Sequence, residues 1–119
     1  MIKSIKARTP ILALILSYLF LATGVALAEG DPASGKKLIK KWDCIVCHGL
    51  SGNNRSSEDE PVPMLAGQPP GYLIKTMNEY KSGARTDIDT WSRMSMRVKG
   101  LSDQDIEDIA AHYAAQKRF

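Results

Sequence analysis

The chain has two cysteines, and they stand close to a histidine in the pattern C-x-x-C-H, at Cys44, Cys47 and His48. Two thiols three positions apart can each add to a vinyl group of a haem and form two thioether bonds within one short turn. The histidine beside the second thiol is then placed under the iron, where a ring nitrogen can coordinate the metal. The motif therefore predicts one covalently attached haem c.

Two other kinds of site use closely spaced cysteines. A thioredoxin-like dithiol also has the C-x-x-C spacing, but it belongs near a βαβ pattern, which this sequence lacks. A zinc site needs four ligands at usable spacing, and besides the three residues of the motif only the distant His112 is available. Both alternatives are therefore disfavoured.

The second axial ligand of the iron separates a carrier from a catalyst, because an iron bound on both faces has no open position for a substrate. Histidine and methionine are the usual ligands. Met77 is expected to pack within a helix, and Met64 is expected at the haem edge. His112 is expected to be either a helix-packing or a surface residue. Met94 and Met96 lie far enough along the chain to reach the other haem face, and chemistry alone does not choose between them.

Three helices are predicted to hold these groups. The first runs from Asp31 to Trp42, because Asp31 can act as the N-cap and a proline follows it. The second covers residues 69–81 and is stopped by Gly83. The third begins after Ser102, which can form a capping box. Its apolar stripe has helical spacing and consists of Ile106, Ile109, Ala110, Tyr113 and Ala114.

Two loops are predicted between the helices. Residues 49–63 are polar and include an acidic triplet at 58–60, and residues 84–100 carry Trp91 and both candidate methionines. No segment alternates apolar and polar residues as a half-buried strand does. The predicted fold class is therefore all-α, with short helices and long loops.

The first 28 residues have the layout of a secretory signal, with a basic start, an apolar run and small residues before Glu29. We therefore expect a signal peptide at 1–28, a single domain at 29–119, a periplasmic location and no membrane span after cleavage. The alternative is an uncleaved membrane anchor, since the apolar run is just long enough to span a bilayer.

The charge of the chain excludes nucleic acid as a partner. The formal net charge is +3, and three of the 16 Lys and Arg residues (Lys3, Lys6 and Arg8) lie in the expected signal. The remaining 13 basic residues match the 13 acidic residues, so the predicted mature domain is neutral. It has no basic stripe with interleaved aromatic residues either.

With these motifs in place, the sequence resembles the class I c-type cytochromes, and most closely their bacterial c-four-like branch. The resemblance covers nearly all of residues 30–117. The matching stretches lie at 30–36, 44–49, 63–68, 72–75, 80–83 and 100–111. Because the chain contains one C-x-x-C-H motif, the resemblance implies a monohaem member with the small cytochrome c fold.

The resemblance also implies the roles of the site residues. Cys44 and Cys47 match the thioether positions, and His48 matches the proximal ligand. The distal methionine of this branch stands six residues before the glycine of the Gly-Leu-Ser cap, which is the position of Met94. Met96 is then the runner-up.

Further positions match the family or depart from it. Pro63 matches the proline whose carbonyl accepts a hydrogen bond from the ligand histidine, and Gly35 matches the small residue where the first and last helices cross. His112 stands where many relatives have the first of two consecutive aromatic residues. The loop before the distal methionine is longer than usual and brings in Trp91.

The implied function is that of a one-electron carrier between redox proteins, such as a dehydrogenase, an oxidase or a reductase, and not that of an enzyme. Two alternatives stay open at this point. The chain could be a haem subunit permanently bound to a dehydrogenase or oxidase, or its haem could have an open face that binds small ligands or reacts with peroxide.

Overall fold

The computed structural model describes residues 29–54, 62–87 and 93–119. Within these ranges it contains five α-helices and no strand: α1 (Pro32–Lys41), α2 (Cys44–His48), α3 (Pro70–Ser82), α4 (Arg93–Val98) and α5 (Asp103–Ala114). The all-α prediction is confirmed. The expected signal peptide at 1–28, the acidic triplet at 58–60 and Trp91 lie outside the described residues.

The first two predicted helices begin and end as their sequence signals indicate. The Asp31 carboxylate accepts hydrogen bonds from the backbone N–H groups of Ala33 and Ser34, at 2.9 and 3.2 Å. These amides have no partner within the helix, so the side chain satisfies them. Helix α3 ends at Gly83, which has a φ of 79°, a left-handed conformation that glycine adopts without strain.

Helix α5 has the predicted capping box. The Ser102 hydroxyl accepts a hydrogen bond from the Asp105 N–H, and the Asp105 carboxylate accepts one from the Ser102 N–H, both at 3.1 Å. The predicted stripe faces the interior: its first four residues are buried and Ala114 is half-buried. Sequence alone therefore predicts both the start of this helix and its buried face.

The prediction of a loop over residues 84–100 is wrong in part, because α4 occupies Arg93–Val98. This helix has only six residues, and Val98 is its one buried side chain. A helix of that length shows no full period of apolar residues, so the periodicity that reveals α3 and α5 cannot reveal α4.

The core lies where α1 and α5 cross. Ile39 of α1 and Ile106 of α5 are fully buried, and Tyr113 is nearly so. At the crossing, a Cβ atom on Gly35 would lie 2.0 Å from the carbonyl oxygen of Asp108. Only glycine fits there, as the family resemblance implies. None of the helices in the described ranges combines the length and apolarity needed to cross a membrane.

Candidate haem-binding site

A cavity of about 490 Å³ opens between α2, α3, α4 and α5. Its apolar wall comes from the buried faces of the helices and includes Leu73, Met77, Val98, Leu101, Ile109 and Ala110. The volume is within the range of roughly 300–1,000 Å³ that is usual for cofactor pockets. All the residues that the sequence analysis selected for the site line this one cavity: Cys44, Cys47, His48, Pro63 and Met94.

Helix α2 carries the motif and is set by a sharp turn at its start. Asp43 has a φ of 57°, the only positive φ among the described non-glycine residues, and aspartate tolerates this left-handed conformation better than most residues. Cys44 and Cys47 are free and half-buried, whereas Val46 between them is 71% exposed. Burial raises the pKa of the Cys44 thiol, so this side chain is protonated at neutral pH in the absence of a cofactor.

The imidazole of His48 is buried and held in one orientation. Its Nδ1 donates a hydrogen bond to the carbonyl oxygen of Pro63, at 3.1 Å. Because a carbonyl only accepts, we assign the ring proton to Nδ1, which leaves the lone pair of Nε2 for a metal. Burial lowers the pKa of His48 and outweighs the opposing effect of this hydrogen bond. The neutral form, which metal binding requires, is therefore the resting form near neutral pH.

Tyr113 supports the turn that follows the histidine. Its ring meets the His48 ring edge-on, with the centroids 6.4 Å apart, and its hydroxyl donates a hydrogen bond to the Gly49 carbonyl at 3.1 Å. Helix α5 therefore positions the C-terminal end of α2 through one buried side chain.

Helix α4 presents two methionines with different surroundings. Both line the cavity, but Met94 packs against the hydrophobic core, whereas Met96 is 72% exposed. Met77 is buried within α3, as the sequence predicts, and also lines the cavity together with Met64. The surroundings of Met94 thus suit a side chain that contacts a bound cofactor.

His112 lies outside this cavity. It is 5% exposed, and its Nε2 donates a hydrogen bond to the carbonyl oxygen of Leu50 at 2.8 Å. Its Cβ would contact any side chain placed at Gly35, at 2.8 Å, so it sits at the crossing of α1 and α5. Of the two alternatives predicted for His112, helix packing and surface exposure, the structure shows helix packing.

Sequence reasoning missed the cationic part of the cavity wall, which consists of Arg85, Arg93 and Arg97. The Arg85 guanidinium stacks over the Tyr80 ring at 5.3 Å, and Arg97 pairs with Asp43 at 2.9 Å. These arginines stand in a stretch predicted as loop, with no spacing that distinguishes them. Guanidinium groups recognise carboxylates, and haem carries two of them as propionates.

These observations together fit a haem c. Two free thiols, a buried histidine with a free Nε2, an apolar wall and a cationic rim all meet at one cavity. A covalent haem would make its thioethers to Cys44 and Cys47.

Comparison with known proteins agrees with this class of site. The family model described as Cytochrome c matches residues 32–114, which are most of the chain. The chain therefore belongs to the cytochrome c family, and it is a class I, c4-like member. Membership implies a covalently bound haem c, and the two cysteines of the motif fit that requirement.

Three relatives illustrate the similarity. Cytochrome c4 of Pseudomonas aeruginosa is 43% identical over 95 residues, which are 80% of this chain and 43% of the relative. Cytochrome c-554(548) of Halomonas halodenitrificans is 37% identical over 89 residues, 74% of this chain and 99% of the relative. A more distant protein of Stutzerimonas stutzeri, 29% identical over 72 residues (60% of this chain and 32% of the relative), is named thiosulfate dehydrogenase electron acceptor.

The lengths of these relatives differ in an informative way. The chain spans less than half the length of the cytochrome c4 relatives, 42% to 45% of them, but nearly all of cytochrome c-554(548). The similarity thus covers less than half of the longer proteins and almost the whole of the shorter one.

Proposed function

We propose that this protein is a periplasmic monohaem c-type cytochrome that carries single electrons between redox proteins. In this proposal Cys44 and Cys47 would form the thioethers, and His48 and Met94 would bind the iron. The observation that carries the proposal is the shared cavity, in which the C-x-x-C-H helix and the core-packed methionine of α4 line one apolar space.

The contacts of His48 support its role as proximal ligand. When bound, the haem supplies an iron that changes reversibly between two oxidation states. The hydrogen bond to Pro63 fixes the orientation of the imidazole ring and makes its Nε2 a stronger electron-pair donor to a metal. With haem bound, the apolar residues of α3 and α5 would keep water away from it, and a dry site is one of the features that tune the potential of a haem iron.

Two protein ligands on the iron would favour the role of an electron carrier over that of an enzyme. With His48 and Met94 both bound, no coordination position is left for a substrate, and a thioether ligand raises the potential. Val46, in the middle of the motif, is 71% exposed and offers a small apolar contact beside the attachment point. A small, weak interface suits a protein that must leave its partner after each electron.

The partners we propose are larger redox proteins, namely a dehydrogenase as donor and an oxidase or reductase as acceptor. The relative named thiosulfate dehydrogenase electron acceptor supports a dehydrogenase as the class of donor. We also propose that residues 1–28 are a signal peptide and that residues 29–119 form the mature periplasmic domain, on the basis of the secretory pattern of the first 28 residues.

The test of the ligand set uses the loaded protein and the charge-transfer band between sulfur and ferric iron. We expect Met94→Ala to abolish this band and Met96→Ala, a matched change in the same helix, to keep it. The ferrous Met94→Ala protein should also bind carbon monoxide rapidly, whereas the wild type should not. A band that survives Met94→Ala and vanishes in Met96→Ala would refute the assignment.

The test of the carrier role is the state of the purified protein. A free carrier should remain a single chain at high dilution, while its haem is reduced and reoxidised by added redox proteins. Isolation in a stoichiometric complex with a dehydrogenase or oxidase that survives dilution would contradict the proposal and favour a permanently bound haem subunit.

A further inference from the structure

The carboxylate of Asp87 accepts hydrogen bonds from donors in the first turn of α4. Its Oδ1 accepts a hydrogen bond from the Met94 N–H at 2.8 Å. The Ser95 N–H lies 3.4 Å from Oδ1 and 3.3 Å from Oδ2, and the Ser95 hydroxyl donates a short hydrogen bond to Oδ2. Both oxygens of one half-buried side chain are thus used, and within the described part of the chain their donors belong to Met94 and its neighbour Ser95.

A helix as short as α4 depends on such a contact. Six residues form too few internal hydrogen bonds to offset the cost of ordering them, and the first amides of any helix lack an internal partner. Asp87 supplies an acceptor for two of these amides, and its negative charge is favourable at the positive end of the helix. The direction of the Met94 backbone is therefore set by a side chain seven positions earlier in the sequence.

The other end of α4 is held in a different way. Val98 is buried in the core, and Arg97 forms an ion pair with Asp43, the residue before Cys44. Both members of that pair are about half exposed, so solvent weakens it. The hydrogen bond from the Met94 N–H to Asp87, in contrast, is made by the backbone of Met94 itself.

We propose that Asp87 is a positioning residue for the distal ligand: it fixes the start of α4 so that the Met94 thioether stays within reach of the iron. The proposal rests on the proposed function, in which Met94 is that ligand. A thioether is neutral and cannot rely on charge to stay bound, so its retention depends on how firmly its helix is placed. Loss of Asp87 should shift the protein toward a state in which the methionine is detached.

The test compares variants of the holoprotein at neutral pH. Asp87→Ala should shift the equilibrium between bound and detached methionine by about tenfold, the size of effect that loss of a helix cap produces. The readouts are a weaker sulfur-to-iron band, a lower midpoint potential and faster carbon monoxide binding by the ferrous protein. Asp87→Asn should give a shift between those of the wild type and Asp87→Ala. Its amide oxygen can still accept a hydrogen bond from the Met94 N–H, whereas its NH₂ group cannot accept one from Ser95.

Two further variants keep the test decisive if Asp87→Ala fails to fold. Ser95→Ala removes only the hydroxyl bond to the carboxylate, and we expect a smaller shift in the same direction. Asp31→Ala is the matched control, because Asp31 also accepts two backbone N–H groups at a helix start but caps α1. It should lower overall stability and leave the band and the potential at their wild-type values.

The outcomes separate this proposal from the one on which it rests. If Met94→Ala abolishes the band while the Asp87 and Ser95 variants match Asp31→Ala in band and potential, the positioning role is overturned and the ligand assignment stands. If the band survives Met94→Ala, the ligand assignment fails, whatever the Asp87 variants show. A graded loss from Ser95→Ala through Asp87→Asn to Asp87→Ala supports the proposal.

Discussion

The two sides of the candidate haem site are built in opposite ways. On the attachment side, Cys44, Cys47 and His48 occupy one five-residue helix, and the histidine is 4% exposed with its ring bonded to Pro63. On the methionine side, Met94 is half-buried on a six-residue helix whose start is held by a carboxylate from an earlier part of the chain. One side is set by sequence spacing and the other by a tertiary contact.

The difference predicts different consequences of mutation. On the attachment side, the spacing of Cys44, Cys47 and His48 along one short helix fixes their positions. Substitution of one of these residues therefore removes its bond to the haem or to the iron completely. On the methionine side, the proposed thioether ligand would bind without a covalent link to the haem, so we expect changes there to shift an equilibrium. Under the proposed ligand set, we therefore expect the attachment side to decide whether the cofactor is present and the methionine side to set its potential and its access to small ligands.

The largest expected effect is on the attachment side. The double variant Cys44→Ser with Cys47→Ser should carry no covalent haem, because a hydroxyl does not form the thioether bond. The measurement is the mass of the denatured chain, which shows whether haem remains bound. Met94→Ala is the control and should keep the full complement of covalent haem. If both variants lost haem to the same extent, the two sides would not differ as described.

The attachment side was predictable because its signals are local. The C-x-x-C-H spacing is contained in five residues, and the capping box of α5 is contained in Ser102 and Asp105. The stripe of α5 repeats over enough turns to be recognised, and it forms a wall of the cavity. Where a few neighbouring residues decide the structure, the sequence is a sufficient guide.

The methionine side was not predictable to the same degree, because its determinants are distant in sequence. Asp87 and Met94 are seven positions apart, and Arg97 and Asp43 are 54 positions apart. No periodic pattern or cap motif signals either contact. The family resemblance alone selects Met94, and the sequence predicts a loop where α4 lies.

The next largest effect should be a loss of overall stability that affects both sides of the site equally. It arises at the crossing of α1 and α5, which supports both sides. Gly35→Ala places a Cβ atom 2.0 Å from the Asp108 carbonyl oxygen, and a backbone atom cannot move away without shifting the helix. We expect the free energy of unfolding to fall by about 1–3 kcal/mol, as in other overpacked sites. Denaturant unfolding of the holoprotein measures this change.

A glycine in α3 provides the matched control for that substitution. A Cβ atom on Gly71 would meet no other atom within 4 Å. Gly71→Ala should therefore keep or raise the stability, by up to about 1 kcal/mol, because alanine is the better helix residue. If Gly35→Ala were as well tolerated as Gly71→Ala, the close crossing of α1 and α5 would not exist in solution.

The smallest expected effect lies at the Arg97–Asp43 ion pair, which links the two sides directly, at 2.9 Å. A double-mutant cycle with Arg97→Gln and Asp43→Asn isolates their coupling, and asparagine retains the left-handed conformation of Asp43 with little strain. Because both side chains are about half exposed, we expect a coupling of about 0.2–1 kcal/mol that declines toward zero in 1 M salt. With such a weak link, we expect the proposed methionine ligand to detach without disturbing the attachment helix. A coupling that stays large in high salt would mean that the two sides move as one unit, and a change at Asp87 should then also alter the surroundings of His48.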